Sequence, residues 1–232
     1  SEKYTEKCAS TICINACKGG HLDIVKWVLC TYPDISTLSI TSSFIRAGEN
    51  GHIETVKYLS EKYPDIDASG NGVIFKNACR NGHLKMAKWF VEKYPDIQSD
   101  EWVFYCVCKN GHLDVVKWLV QTYPDIDVHV FDDCAFQWAC GVNLDIVQWL
   151  LITYPDIDVH ADNDGAFRWA CYNNCLDIIK WLLYKYPNIN IHSENNEAFF
   201  HSCLYHPRVA ILLKQYSNLS WNQIKLLANK YD

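Results

Sequence analysis

Apolar and polar residues along this chain recur in blocks with a period of about 31 residues, not in one continuous amphipathic pattern. The string Tyr-Pro-Asp-Ile stands at Tyr32, Tyr63, Tyr94, Tyr123 and Tyr154. Weakened forms follow at Tyr186 and Tyr216, with steps of 31, 31, 29, 31, 32 and 30 residues. Eleven residues before each of the first six tyrosines a second block begins, at His21 (His-Leu-Asp-Ile-Val-Lys-Trp), His52, His83, His112, Asn143 and Cys175. Two anchors that hold one offset over six copies define a tandem array.

Each unit reads as helix, turn, helix and a long polar connection. On a helical wheel with Phe136 at zero, Ala139 falls at about 300° and Cys140 at about 40°, so the three share one face. The trio recurs as Phe167/Ala170/Cys171, Phe75/Ala78/Cys79 and Phe104/Val107/Cys108. Its small members let a neighbouring helix approach closely. Gly20, Gly51, Gly82 and Gly111 stand where this first helix must end in a positive-φ residue. The second helix follows at once, with Asp23, Asp114 and Asp177 in its first turn complementing the helix dipole. Around Leu113 only Asp114 and Lys117 form a polar stripe, so this helix is expected to be covered on several sides. The Pro after each Tyr closes it, because a residue preceding Pro avoids the helical region.

These blocks resemble ankyrin repeats from about residue 8 onward. The family's Gly-His turn, apolar second helix and Asp-rich exit are matched by Gly111-His112-Leu113-Asp114-Val115-Val116 and by Tyr123-Pro124-Asp125-Ile126-Asp127. Asn163-Asp164-Gly165 resembles the family's hairpin tip. The spelling Ala166-Phe167-Arg168-Trp169-Ala170-Cys171 is similar to the ankyrin sets of giant DNA viruses. The resemblance implies an all-α solenoid of stacked helix-turn-helix units with finger loops or short hairpins. Residues 1–216 would hold seven repeats and 217–232 a C-terminal capping helix, with Ser220 and Gln223 as a capping box. The family's Thr-Pro-Leu-His opening is absent from every repeat. The steps from exit Ile to core Phe are 9, 9, 7, 10, 10 and 10 residues, so the third connection should carry a reduced finger. The turn at Gly141-Val142-Asn143 lacks one residue, and the seventh repeat, with Pro207, is irregular.

Composition narrows the function. The 232 residues carry 21 Lys+Arg against 27 Asp+Glu, a net charge of −6 without a basic block, which argues against nucleic acid. No apolar run is long enough to span a membrane, and the polar opening Ser1–Lys7 predicts no signal peptide. An intracellular chain with free thiols is therefore expected from its 12 Cys. Cys17, Cys79, Cys108, Cys140, Cys171 and Cys203 share one repeat position and read as small core filler, with neither metal nor disulfide. His21, His52, His83 and His112 read as structural. No nucleophile or Gly-rich phosphate loop recurs beside them, so no enzyme activity and no cofactor are expected.

The aromatic residues, 14% of the chain, divide into two groups. Trp27, Trp89, Trp118, Trp149 and Trp181, with Tyr58, occupy one second-helix slot and are expected in the core. Trp138 and Trp169 lie at about 200° from the core Phe, and Trp102 at about 160°, pointing away from it. In ankyrin repeats the first helices and fingers line a concave groove, and the resemblance implies that partners bind there. Trp102, Trp138 and Trp169 are the expected anchors, beside a finger row of His129, His160 and His192. Arg46, Arg80, Lys109, Arg168 and Tyr172 would supplement the face. The expectation is a monomeric, non-catalytic scaffold for another protein, with Trp138 and Trp169 alternatively packed under the adjacent finger. A self-assembling viral component is the competing reading. A ubiquitin-ligase adaptor would need a longer tail than 217–232, and is the third reading if the sequence is a fragment of a longer chain.

Overall fold

The computed structural model of the protein describes residues 2–64 and 69–217. Among these residues there are fourteen helices and no strand. In chain order they are α1 (Glu2–Gly19), α2 (Leu22–Thr31), α3 (Thr37–Glu49), α4 (Ile53–Lys62), α5 (Ser69–Arg80), α6 (Leu84–Lys93) and α7 (Glu101–Lys109). They continue as α8 (Leu113–Thr122), α9 (Val130–Ala139), α10 (Leu144–Thr153), α11 (Ala161–Tyr172), α12 (Leu176–Lys185), α13 (Ser193–Tyr205) and α14 (Pro207–Ser217). The chain is all-α, as its repeat pattern predicts. The terminal helix expected over 217–232 lies outside the described residues but for Ser217, where α14 ends.

The hairpin between paired helices follows from one backbone device. The α1 carbonyls of Ala16 and Cys17 accept from His21 N (2.9 Å) and Gly20 N (3.3 Å), with Gly20 at φ +73°. This pair of bonds satisfies orphan carbonyls only if the residue between them is left-handed, which glycine adopts without strain. The same bonds recur at Gly51/His52, at Gly82/His83 and at Gly111/His112. Asn174, at φ +59°, replaces the glycine in α11–α12, where Cys175 N donates to Ala170 O at 2.9 Å. The shortened Gly141-Val142-Asn143 turn has no left-handed residue. Val142 N and Asn143 N both donate to Ala139 O, and the Asn143 side chain caps α10 by accepting from Asp145 N and Ile146 N.

The chain forms two compact units. The first comprises residues up to Val103 with Lys117–Tyr123, and the second Phe104–Val116 with the chain from Pro124 onward. In the first, α1 packs on α2 and α3, α3 on α4 and α5, and α5 on α6. In the second, α9 packs on α10 and α11, α11 on α12 and α13, and α13 on α14. First helices thus stack on first helices, and the core Phe column fills the seams: Phe44, Phe75, Phe104, Phe136 and Phe167 are all buried. The small residues beside them are buried too, including Cys17, Cys79, Cys108, Cys140 and Cys171. Cys203, expected in that column, is instead exposed, and all twelve cysteines are free thiols. Burial pushes the thiols of Cys79, Cys108, Cys140 and Cys171 up, which keeps them protonated filler.

The second-helix Trp slot departs from expectation. Trp27 is 57% exposed, and Trp89, Trp118, Trp149 and Trp181 are only half-buried. Each ring lies edge-on to the Tyr that ends its own helix: Trp27–Tyr32 at 6.4 Å, Trp89–Tyr94 at 6.3 Å, Trp118–Tyr123 at 6.5 Å, Trp149–Tyr154 at 6.1 Å and Trp181–Tyr186 at 6.1 Å. The slot lies at the edge of the apolar arc, so these aromatics form local pairs at the helix ends, and Trp118 also meets the core Phe75 edge-on at 6.3 Å.

A further stitch joins successive repeats near the helical turns. The ring of His52 lies against Gly20, where a Cβ would come within 2.4 Å of its Nδ1, and His52 Nε2 is 2.9 Å from Lys18 O. In the second unit the position is filled by Asn143, which donates to Gly111 O (3.1 Å), by Cys175 on Gly141 O (3.0 Å), and by His206, whose Nε2 is 2.8 Å from Tyr172 O. This is the structural role expected of the turn histidines, seen at His52 and in the packing of His83 against Gly51, and achieved without side-chain caps.

Candidate protein-interaction face

Three connections in the second unit contain a feature absent from standard helices. Phe131-Asp132-Asp133, Asp162-Asn163-Asp164 and Glu194-Asn195-Asn196 are each left-handed at all three positions, with φ between 47° and 65°. Left-handed backbone costs an L-residue about 1–2 kcal/mol, least for Asn and Asp. Seven of these nine residues are Asn or Asp, and Phe131, the least suited, holds its ring 79% exposed. The hairpin tip expected at Asn163-Asp164-Gly165 is thus a left-handed turn one residue earlier, over Asp162, Asn163 and Asp164, and the three turns are alike. They are closed by backbone bonds from Asp133 N to His129 O, Asp164 N to His160 O and Asn196 N to His192 O.

The histidine row locks these turns. His160 Nδ1 lies 2.6 Å from Asp164 Oδ1, and His129 Nδ1 lies 2.7 Å from Asp133 Oδ1. His192 Nδ1 makes the same bond to Asn196 Oδ1. A carboxylate is an acceptor, so the ring N–H donates. Asp133 and Asp164 are each 7% exposed, and their second oxygens accept backbone N–H groups of the following connection, from Asp158 (2.9 Å) and Asn190 (3.0 Å). Asp127, Asp158 and Asn190 in turn accept from the backbone N–H of His129, His160 and His192. Each buried carboxylate therefore ties its own His to the next repeat. The three histidines retain part-exposed edges, but their Nδ1 atoms are committed to shaping the fingers, and His129 Nε2 lies 3.4 Å from Asp156 Oδ2.

Alongside the fingers runs a ladder of aromatic rings. Trp138 of α9 and Trp169 of α11 lie with centroids 3.8 Å apart at 30°, one turn position on two stacked helices. Lys109 Nζ sits 3.8 Å above the Trp138 ring, and Tyr105 meets that ring edge-on at 5.9 Å. Beyond Trp169 the contacts continue to Tyr172 (5.8 Å), from Tyr172 to His201 (4.5 Å) and from His201 to Tyr205 (4.8 Å). Burial first, and then the Glu197 hydrogen bond, push the Tyr172 hydroxyl up to about 12, so it remains a neutral donor. Cys134 sits among these groups. Burial raises its thiol, the Trp138 hydrogen bond and the Lys109 ammonium oppose the rise, and the Asp162 carboxylate adds to it.

The remaining expected residues fall elsewhere. Arg168 points back into its own finger: Nη2 is 2.7 Å from Asp162 Oδ2 and 2.8 Å from Asp162 O, Nη1 is 3.4 Å from Glu197, and the side chain is only 14% exposed. It is a brace more than a contact surface. Trp102 is 63% exposed but belongs to the first unit, as do Arg46, paired with Glu49 at 3.1 Å, and Arg80 at the end of α5. Tyr105, His201, Tyr205 and the carboxylates Asp133 and Asp164 were not singled out from sequence. The recurring His-x-x-x-Asp spacing at His129/Asp133 and His160/Asp164 was the available signal for the last two. Among the described residues no group of three His, Cys, Asp or Glu is placed to hold a metal ion, and no helix is long and apolar enough to cross a membrane.

A family model describing ankyrin repeats in three copies matches residues 44–132, 75–163 and 103–195. These overlapping matches advance by about one repeat and span the turn histidines His52, His83 and His112 and the first two left-handed fingers. No curated protein matches the chain. Outside the matched span, α1–α2 and α13–α14 carry the same helix pairing, with the Schellman-type turn at Gly20 and the His206 stitch. With well over half of its length matched, the chain belongs to the ankyrin-repeat family.

Proposed function

We propose that this ankyrin-repeat protein is a non-catalytic protein-interaction module, and that a partner protein seats on the first-helix face of its second unit. Ankyrin repeats generally mediate protein–protein interaction. The observation that carries the assignment is the ring ladder through Tyr105, Trp138, Trp169, Tyr172 and His201. Trp and Tyr are the residues that dominate interface energetics, and here they stand half-exposed on adjacent helices, braced by one another and by Lys109. Preorganised aromatics lose little entropy on binding. His129, His160 and His192 serve the same face by holding the fingers in place. The proposed face uses residues of the second unit only, and Trp102, Arg46 and Arg80 are not part of it.

The test is the double substitution Trp138→Ala/Trp169→Ala in the full chain, followed by affinity capture and direct binding measurements on whatever partner is captured. Loss of capture with helicity and melting behaviour retained supports the reading. Unchanged capture by a folded variant overturns it. If the alanine pair unfolds, Trp138→His/Trp169→His installs the residue that the same slot carries at His201, and the binding comparison is made there.

A further inference from the structure

We infer that the segment bound on this face is an extended basic peptide, with Lys or Arg side chains reaching the finger carboxylates while the intervening residues cover Trp138 and Trp169. This rests on the interaction-face reading above and adds the chemistry of the partner.

Charge is the first argument. The three connections of the second unit, residues 124–135, 155–166 and 187–198, carry four, four and two carboxylates and not one lysine or arginine. Asp133 and Asp164 are buried and used internally, but Asp132, Asp162 and Glu194 stand exposed on the left-handed turns. These turns lie side by side: Asn163 Nδ2 donates to Glu194 Oε1 at 2.7 Å, and Asp133 accepts from the backbone of the next connection.

The chain's own cations are the second, independent argument, because they show what the face accepts. The Lys109 ammonium rests on the Trp138 ring, a cation–π geometry, and the Arg168 guanidinium is held by the Asp162 carboxylate and carbonyl together with Glu197. Arg168 occupies its slot in only one of the three repeats. The equivalent residues are Gln137, which donates to Asp132 O at 2.7 Å, and Phe200. Glu194 stands at the turn position of Asp162 in a repeat that has Phe200 in place of the arginine. In the first finger the carboxylate lies one residue on, at Asp132, with the neutral Gln137 in the arginine slot; a partner cation completes the same chemistry at both.

Spacing supplies the third. Stacked helices repeat at roughly 8–10 Å, and an extended chain advances about 3.3 Å per residue, so basic residues three apart in a partner match carboxylates one repeat apart.

The experiment pans a random 12-residue peptide library displayed on phage against the full chain. Enriched peptides are then titrated by fluorescence anisotropy against defined variants. The expected peptides carry Lys or Arg at intervals of three and lose binding to the Trp138→His/Trp169→His variant. They should weaken by about tenfold against Asp132→Asn/Glu194→Gln at low salt, with the difference shrinking as salt is raised. Asp34→Asn/Asp96→Asn removes the same net charge from exposed positions of the first unit and should change affinity less than about twofold. Tryptophan-dependent peptides that are acidic or neutral overturn the basic-peptide inference and leave the interaction face standing. Basic peptides weakened equally by both charge pairs overturn it as non-local attraction. Peptides indifferent to Trp138 and Trp169 overturn both, and absence of any enriched peptide overturns the claim of a linear segment.

Discussion

The two units reach the same helix pairing from connections of different length and chemistry. In the first unit the step from Ile35 to Phe44 is nine residues, and α3 starts from Ser36, whose hydroxyl accepts from Ser39 N. The shortest step, Ile97 to Phe104, begins α7 in the same manner, with Asp100 Oδ1 accepting from Val103 N at 3.0 Å. These are ordinary N-caps that satisfy an orphan amide within the connection itself. In the second unit each connection holds ten residues from Ile to Phe, and the extra length is taken up in a left-handed turn. In the first two the carboxylate bonded to the His is buried and shared with the next connection, and the third closes on His192 and Asn196. The lesson is that a connection longer by one to three residues forms a coupling element where the shorter ones hold a local cap. The second unit's fingers are thereby fixed in register with one another and present their carboxylates as a row.

What the units share should break both equally. Phe75→Ala in the first and Phe167→Ala in the second each empty a buried slot in the seam between first helices. Each should cost about 3–5 kcal/mol, read as a lowered urea midpoint. A repeat array is not guaranteed to unfold in one step, so amide exchange resolved by segment should show the loss nearest the substitution. A much smaller cost in either unit would mean that its seam closes around the void.

What separates the units should appear at the connections. Asp164→Ala leaves His160 Nδ1–H and Asn190 N–H without their buried acceptor, at an expected cost of about 2–3 kcal/mol, with faster exchange in the connections on both sides. Asp164→Asn should recover only part of this: its Oδ1 can accept from His160 as Asn196 does from His192, but its Nδ2 would face the Asn190 N–H donor to donor. Ser36→Ala removes only a local cap and should cost about 1 kcal/mol, with exchange altered at the start of α3 alone. Equal and equally local effects for Asp164→Ala and Ser36→Ala would dissolve the distinction drawn between the units.

How much of this was legible follows from the range over which each feature is determined. The helix pairs, the Gly20-type turns and the Phe column depend on contacts within a few residues, and the repeat copies them, so spacing alone revealed them. The Trp27 slot is more exposed than its spacing predicts because a helical wheel places a residue on an arc without saying which part of that arc a neighbour covers. Trp138 and Trp169 were correctly turned away from the core Phe. Their 3.8 Å stacking, however, depends on the separation of α9 from α11, which no single helix encodes. The His160/Asp164 spacing is that of a right-handed helical turn, yet the backbone between them is left-handed. Only the Asn/Asp enrichment hinted at that. Arg168 differs from the contact residue its position predicts because its exposure depends on a finger, through Asp162 and Glu197, whose conformation spacing does not encode.

The smallest expected effect tests whether the short α7 connection holds by charge as well as by capping. Lys76 Nζ lies 2.7 Å from Asp100 Oδ2, across from the α5 surface to the start of α7. Partial burial alone would raise the Asp100 carboxyl. The Lys76 hydrogen bond and the Val103 backbone N–H outweigh burial and hold it below its usual value. A carboxylate depressed in the folded state adds stability that is present above its unfolded pKa, about 3.9, and that is lost as the pH falls through the lower folded value. Both side chains are more than two-fifths exposed, so solvent screens the pair and its worth should be at most about 1 kcal/mol. Lys76→Met should therefore lower stability slightly at neutral pH and bring the Asp100 carboxyl back toward its ordinary range, measurable by carboxyl NMR titration. It should leave stability unchanged at a pH where Asp100 is protonated in both states. A variant equally destabilised at acid and neutral pH would show that Lys76 acts through its packed aliphatic stem, with Asp100 serving α7 only as a cap.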